Sequence, residues 1–196
     1  MVTLHLRGWN VNALQLALLP NTFDDGSDPR NDDNFTPIHI VKPFRIFLGH
    51  FDLDPFSCAA ANEAVQASTY WTKEDDALSK IWSMYQHKWC NPPYSDMDRC
   101  IAKILAYKHI GHTFILVNSN TDSDWYQSAI QATKENGAYL LFKRRIEFVN
   151  SKRILRKQQT GKGSGNNKGQ TLFYYGDRVA EFADYAKGFG VVGRAV

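Results

Sequence analysis

The stretch that decides the fold is Cys90-Asn91-Pro92-Pro93-Tyr94-Ser95. Two adjacent prolines fit neither a helix interior nor a central strand, because neither donates a backbone N–H and both fix φ. Lys88-Trp89-Cys90 predicts the end of a buried strand, and Ser95 followed by Asp98 has the spacing of a capping box at a helix start. The hexapeptide therefore predicts a rigid turn between a strand and a helix.

Such a turn lies where ligands bind in open α/β sheets, beyond the carboxyl ends of the strands. Asn91 to Tyr94 offer an amide side chain, a fixed backbone and an aromatic ring, a set that suits a flat base with an exocyclic amine. A second turn, Asp54-Pro55-Phe56-Ser57, follows a predicted strand over residues 51–54. Its carboxylate can accept hydrogen bonds from an ammonium group or a ribose. Because parallel neighbours end at the same edge of a sheet, we expect both turns at one edge.

Hydrophobic periodicity predicts alternating strands and helices around these turns. Further strands are expected at residues 70–71, 113–117, 138–142, 146–149 and 172–175, and helices at 58–66, 96–108 and 124–136, the last ending at Gly137. Thr36 is expected to cap a helix that begins at Pro37, and Pro43 to split that helix into two short pieces. The alternation predicts one α/β domain, with a mostly parallel central sheet and helices on both faces.

Composition is that of an ordinary globular protein. The 196 residues are 43% hydrophobic and 22% charged, with a net charge of +3. We expect residues 1–35 to be an extension that packs on the core, and residues 36–196 to be a single domain. Three cysteines without a close pair predict neither a disulfide nor a metal site. No stretch has the length and apolarity of a membrane span or the pattern of a signal peptide, which favours a cytosolic location.

Basic residues concentrate between about residues 143 and 169, where Glu147 is the single acid. The set consists of Lys143, Arg144, Arg145, Lys152, Arg153, Arg156, Lys157, Lys162 and Lys168. Both a solvated loop and an arm that contacts phosphates are compatible with such a run. In an arm that binds DNA, the arginines are better suited than the lysines to read base edges, because Arg can bind guanine with two hydrogen bonds.

Together, the motifs resemble those of the phage-type DNA N6-adenine methyltransferases, a family that uses S-adenosylmethionine. The resemblance covers about residues 36–190 and implies a Rossmann-like methyltransferase domain. The cofactor-binding residues that it implies are Thr36, Pro37, Asp54, Pro55, Phe56, Ser57, Asp75, Asp76, Ala77 and Leu78. The implied catalytic residues are Asn91, Pro92, Pro93 and Tyr94, and the implied DNA contacts, beside the basic arm, are Ser95, Asn120 and Trp125.

The resemblance also implies a mechanism. The Asn91 side-chain carbonyl and the Pro92 backbone carbonyl accept the two amine hydrogens of an adenine that has left the duplex, and Tyr94 stacks on the base. The implied partner is double-stranded DNA. The enzyme is expected to be a monomer or weak dimer that acts in the cytoplasm of a bacterial host and protects phage or prophage DNA from restriction.

Two departures from the family pattern leave alternatives open. Ser57-Cys58-Ala59-Ala60 stands where many DNA amino-methyltransferases have glycines, and Asn91 stands where many adenine enzymes have Asp. The first alternative is methylation of cytosine N4 or of RNA. The second is a catalytically silent nucleic-acid-binding protein of the same fold.

Overall fold

The computed structural model describes residues 34–149 and 167–196. The described strands are β1 Phe51–Asp54, β2 Ala67–Tyr70, β3 His87–Cys90, β4 His112–Asn118, β5 Gly137–Phe142, β6 Gln170–Tyr175 and β7 Gly190–Gly193. The described helices are α1 Ile38–Leu48, α2 Ala59–Val65, α3 Met97–Ala106, α4 Asp124–Asn136 and α5 Val179–Ala186. The strands form one sheet in the order β2-β1-β3-β4-β6-β5-β7.

The pairing of the strands makes this sheet a mixed one. β2, β1, β3 and β4 pair in parallel, whereas β4 with β6, β6 with β5 and β5 with β7 pair antiparallel. The α/β class is confirmed, but the mostly parallel sheet is not, because half of the strand pairs are antiparallel. β6 enters between β4 and β5 in the reverse direction, and an apolar run such as residues 170–175 carries no local signal of strand direction.

Alternation along β4 divides the core into two layers. Phe114 and Leu116 pack into one buried cluster with apolar residues of α1, α2 and α5. Ile115 and Val117 pack into the other cluster with apolar residues of α3 and α4. Because successive strand residues face opposite sides, helices cover both faces of the sheet as predicted. Among the described helices, none is both long enough and apolar enough to pass through a bilayer.

Helix α1 corrects two expectations about the start of the domain. The helix runs unbroken through Pro43, and its N-cap position is Pro37 rather than Thr36. Proline at the sixth helical position removes one intrahelical hydrogen bond. Burial of Val41, Phe44 and Leu48 on one face offsets that loss, since these side chains are at most 8% exposed.

Several other boundaries differ from the predicted ones. The predicted strand at 146–149 is wrong, because the only described pairing in that stretch is an isolated bridge between Val149 and Phe35. The strand predicted at residues 70–71 lies earlier, as β2. Gly137 ends α4 as predicted, but in an extended conformation as the first residue of β5, so the new strand stops the helix there. α5 and β7 are not among the predicted elements.

Replacing Phe44 by alanine is expected to lower the free energy of unfolding by about 3–5 kcal/mol. Its side chain is fully buried and its ring contacts Phe114 at a centroid distance of 5.3 Å. Chemical denaturation measures the loss. Ile46→Ala is the matched control on the same helix, because Ile46 is 62% exposed and its truncation should cost less than about 1 kcal/mol. Equal losses in both variants would contradict the packing described for α1.

Candidate active site

The two motifs predicted to act together meet at one edge of the sheet. β1 and β3 are parallel neighbours, and β3 pairs in parallel with β4. Asp54 ends β1, Asn91 follows the last residue of β3, and Asn118 ends β4. Three polar side chains thus lie at the carboxyl edge of adjacent strands, which is where ligands bind in sheets of this kind.

Asp54 is a buried carboxylate with few partners. Its side chain is 2% exposed, and its Oδ1 accepts the Phe56 N–H at 3.4 Å. Burial raises the pKa of Asp54 to about 7, against the opposing effect of hydrogen bonds from Ser57 and Phe56. No Lys, Arg or His of residues 34–149 and 167–196 forms an ion pair with it. A ligand that brings a cation or hydrogen-bond donors would therefore stabilise the charged form.

Backbone hydrogen bonds extend the pairing of β1 and β2 into the Asp54–Ser57 turn. Trp71 N–H donates to the Asp54 carbonyl at 3.0 Å, and Ser57 N–H donates to the Trp71 carbonyl at 2.9 Å. The Phe56 ring packs on buried Trp82 at a centroid distance of 5.9 Å, and Trp82 Nε1 donates to the Ala77 carbonyl at 3.0 Å. Trp82 thereby joins the Asp54–Ser57 turn to the Asp75–Leu78 segment, the two segments predicted to bind the cofactor. The position of Trp82 in the sequence does not reveal this role.

The segment from Asp75 to Leu78 is shaped by its own carboxylates. Asp75 Oδ2 accepts hydrogen bonds from the N–H and hydroxyl of Thr72 at 2.9 and 3.1 Å. Asp76 adopts a left-handed conformation with φ 49°, and its Oδ1 accepts the Leu78 N–H at 3.2 Å. Ala77 is buried. The four residues form a fixed turn beside Trp82, and their contact with a cofactor stays a prediction.

The amide of Asn91 is held in one orientation by the backbone. Its Nδ2 donates to the Asn34 carbonyl at 2.8 Å, across 57 positions of the chain. Since the nitrogen is committed to this bond, Oδ1 is the atom left to serve as an acceptor. Asn34 is not among the predicted site residues, because every residue type has a main-chain carbonyl and the sequence cannot show which one acts as an acceptor.

Thr36 and Pro37 lie two and three residues beyond Asn34, and both are buried. Thr36 is 4% exposed, and its hydroxyl oxygen has no hydrogen-bond partner among the described residues. A buried hydroxyl in this state costs free energy unless a ligand or water satisfies it. The hydroxyl is thus a candidate ligand contact rather than a helix cap.

The residues after Asn91 form a short turn before α3. Pro92 is buried, Pro93 and Tyr94 are partly buried, and Tyr94 to Asp96 form one turn of 3₁₀ helix. The capping box predicted at Ser95 is wrong, because Asp96 and not Ser95 takes the N-cap position of α3. The Asp96 carboxylate accepts a hydrogen bond from the Arg99 guanidinium at 2.9 Å. Ser95 is exposed at this turn.

Cys90, just before the motif, is not a nucleophile candidate. It is fully buried, and burial raises the pKa of its thiol, so the side chain packs as a neutral group.

Four of the predicted DNA contacts reach the same edge from the other half of the sheet. β5 runs in the direction of β4, because both are antiparallel to β6. Lys143, Arg144 and Arg145 follow the end of β5 and are exposed. Exposed Lys168 precedes β6, and its Nζ lies 3.5 Å from Asn120 Oδ1 in the turn after β4.

Apart from Ser95 and Asn120, which lie in the turns after β3 and β4, the remaining predicted contacts with DNA divide into two groups. Trp125 is 8% exposed and packs on Tyr126 at a centroid distance of 5.6 Å, so it offers little surface to a ligand. The other group lies outside the described residues and consists of Lys152, Arg153, Arg156, Lys157 and Lys162.

Comparison with known proteins identifies the family of the chain. A family model described as "DNA N-6-adenine-methyltransferase (Dam)" matches residues 25–185. A protein of Escherichia phage T1 named "DNA N-6-adenine-methyltransferase" is 26% identical over 152 residues. That alignment covers 70% of this chain and 60% of the phage protein, so the chain spans about three-fifths of its relative's length. Since the family model matches most of the chain, the predicted resemblance is confirmed, and the chain belongs to the DNA N-6-adenine-methyltransferase (Dam) family.

Proposed function

We propose that this protein transfers a methyl group from S-adenosylmethionine to the N6 amine of adenine in DNA. The observation that carries the proposal is the oriented Asn91 amide, which lies at the same sheet edge as the buried Asp54 carboxylate. Membership of the family and the name of the phage T1 relative support the same reaction.

The residues at this edge fit S-adenosylmethionine. Asp54 is a buried carboxylate whose charged form would be stabilised by an ammonium group or by ribose hydroxyls. The buried Thr36 hydroxyl would gain a hydrogen-bond partner from the cofactor. The turn from Asp75 to Leu78 and the partly buried Phe56 ring, which packs on buried Trp82, would supply a wall for the adenine moiety. When bound, this cofactor supplies an electrophilic methyl group on a sulfonium centre.

Asn91 and Pro92 would prepare the target amine. The lone pair of the N6 amine is delocalised into the adenine ring, so the amine is a poor nucleophile. Asn91 Oδ1 and the Pro92 backbone carbonyl can accept one amine hydrogen each, which localises the lone pair on nitrogen. Because the Asn34 carbonyl fixes Asn91 in advance, little reorganisation is needed during the reaction. A base must leave the duplex to reach this turn, and Tyr94 is the ring that would stack on it.

The exposed cations at this edge would bind the DNA backbone. The two ends of the predicted basic arm supply these cations, which are Lys143, Arg144 and Arg145 at one end and Lys168 at the other. The position of Lys168 beside Asn120, and of the other three after the end of β5, supports a phosphate-binding role rather than that of a solvated loop remote from the site. The extension over residues 1–35, the monomeric or weakly dimeric state and the cytosolic location stay predictions.

Arg144→Ala is expected to weaken DNA binding by a similar factor on all sequences, and to reduce the slope of log affinity against log salt by about 1. Fluorescence anisotropy over a series of salt concentrations measures both quantities. Lys134→Ala is the control, because Lys134 is an exposed residue in the last turn of α4, which ends at the opposite edge of the sheet. An unchanged salt slope for Arg144→Ala would show that Arg144 does not contact the DNA backbone.

The reaction itself is tested by transfer of labelled methyl from S-adenosylmethionine to unmethylated duplex DNA, followed by mass analysis of the nucleosides. Label in N6-methyladenine supports the proposal. Label in N4-methylcytosine, or in RNA offered in parallel, would replace it with the corresponding amino-methyltransferase. Cofactor or DNA binding without any methyl transfer would favour a silent binding protein.

A further inference from the structure

The sheet edge opposite the candidate active site carries a cluster of two histidines and a carboxylate. His50 directly precedes β1, Asp52 lies within β1, and His87 is the first residue of β3. β1 and β3 are parallel neighbours, so their amino-terminal ends meet at this edge as their carboxyl ends meet at the other. His50 and His87 are far apart in the chain, which is why the sequence predicted no metal site.

The side chains of this cluster converge on one point. His50 Nε2 lies 2.8 Å from Asp52 Oδ1, and the rings of His50 and His87 have a centroid distance of 4.6 Å. One ligand atom from each of the three residues lies within 4.8 Å of the other two. Four-coordinate zinc, with bonds of about 2.0–2.2 Å, requires ligand atoms roughly 3.3 Å apart. The His50 side chain is 58% exposed and therefore has room to rotate toward this spacing.

The backbone fixes the carboxylate that would anchor the ion. Asp52 Oδ2 accepts the N–H groups of Gln86 and His87 at 2.9 and 2.8 Å. These bonds hold one carboxylate oxygen and leave Oδ1 directed at His50, the arrangement by which outer hydrogen bonds orient a metal ligand. His87 Nδ1 is buried and has no hydrogen-bond partner among the described residues. A ligand that reaches this ring nitrogen would satisfy it.

We propose that His50, Asp52 and His87 bind a divalent transition-metal ion, with zinc as the best chemical match. Two imidazoles and one carboxylate are a ligand set typical of zinc, and an exposed position at a strand end leaves room for one or more waters. The ion would join β1, which ends at Asp54, to β3, which leads into Asn91, so its role is to brace the sheet. The site lies at the opposite edge from the proposed catalytic residues and does not depend on the proposed reaction.

The test is a titration of the untagged full chain with Co²⁺, followed by displacement with Zn²⁺. Visible absorption reports both the coordination of Co²⁺ and any thiolate ligand, which would give intense charge-transfer bands from a cysteine site. We expect one Co²⁺ per chain without such bands, and binding weakened at least about tenfold by His50→Ala and by His87→Ala. Zn²⁺ should displace the Co²⁺ and raise the unfolding temperature of the intact protein but not of His50→Ala.

His109→Ala is the matched control, because exposed His109 also lies near a carboxylate, 3.9 Å from Glu135. It should bind Co²⁺ like the parent. If His87→Ala fails to fold, His50→Ala still decides the test, because the His50 side chain is largely in solvent and its loss should not prevent folding. The proposal is overturned by any of three results: no binding to the intact chain at millimolar Co²⁺, undiminished binding in His50→Ala, or charge-transfer bands from a thiolate.

Discussion

Asn91→Ala is expected to lower the rate of methyl transfer by about 10²–10³-fold, the usual cost of removing one preorganised polar group from a reacting centre. The loss should appear in the turnover number rather than in cofactor affinity, because Asn91 is proposed to contact the target amine. Single-turnover assays with labelled cofactor measure the chemical step, and calorimetry measures cofactor binding. Asn136→Ala is the control, since Asn136 is an exposed residue at the end of α4, on the opposite edge.

Asn91→Asp tests the orientation of the amide itself. Aspartate keeps an acceptor for the target amine, and the family pattern that the resemblance implies allows Asp at this position, so that pattern alone predicts an active variant. Here, however, the Asn91 nitrogen donates to the Asn34 carbonyl at 2.8 Å. A carboxylate at this position would place an acceptor oxygen opposite the acceptor oxygen of Asn34, and the two would repel each other. We therefore expect a loss of transfer at least tenfold at neutral pH. Full activity in Asn91→Asp would show that the bond to Asn34 does not position the amide.

Asp54→Asn is expected to have opposite effects on stability and on cofactor binding. The unfolded carboxyl group ionises near its ordinary pKa of 3.8, whereas burial raises the folded value to about 7. The folded state therefore holds the proton more tightly, and the resulting stability is present at low pH and lost as pH rises from about 4 to about 7. The difference corresponds to about 4 kcal/mol as an upper bound. The asparagine variant carries no such penalty and should be the more stable protein at pH 8.

Denaturant unfolding at pH 5 and pH 8 measures this difference, and calorimetry with S-adenosylmethionine measures the accompanying loss of affinity, expected to be at least about tenfold. Asp184→Asn serves as the control, because Asp184 is an exposed residue of α5 and should change neither quantity. If parent and Asp54→Asn lost the same stability between the two pH values, the buried carboxylate would not be the group that titrates.

The sequence allowed good prediction of those features that depend on local pattern. β4 contains a continuous apolar run and α4 is a long segment that stops at Gly137, and the structure has both within one residue of the expected bounds. Asp54 ends one short strand and Asn91 follows another, and parallel pairing brings the two strand ends together as expected. In each case the signal lies within a few residues of the element it specifies.

Features that depend on distant contacts were not predictable. The bond between Asn91 and the Asn34 carbonyl joins two turns through a main-chain atom, and the Phe56–Trp82 contact joins loops that follow different strands. The unbroken α1 has the same origin, because the burial of Phe44 outweighs the local cost of Pro43 only once the sheet is present. The direction of β6 is likewise set by its neighbours and not by its own residues.

The reversed β6 also has an evolutionary consequence. Since Leu141 of β5 pairs with Thr171 of β6, the connection over residues 143–169 leaves and re-enters the sheet at neighbouring points on the edge that carries Asn91. The closure entropy of a connection between fixed ends grows only slowly with its length. The described part of this connection packs Ile146 and Phe148 into the core, so a change of length that leaves the strands unaltered belongs after Val149. Selection can thus diversify the proposed DNA contacts in this segment while the residues proposed for methyl transfer stay constant, and a laboratory graft can use the same boundary.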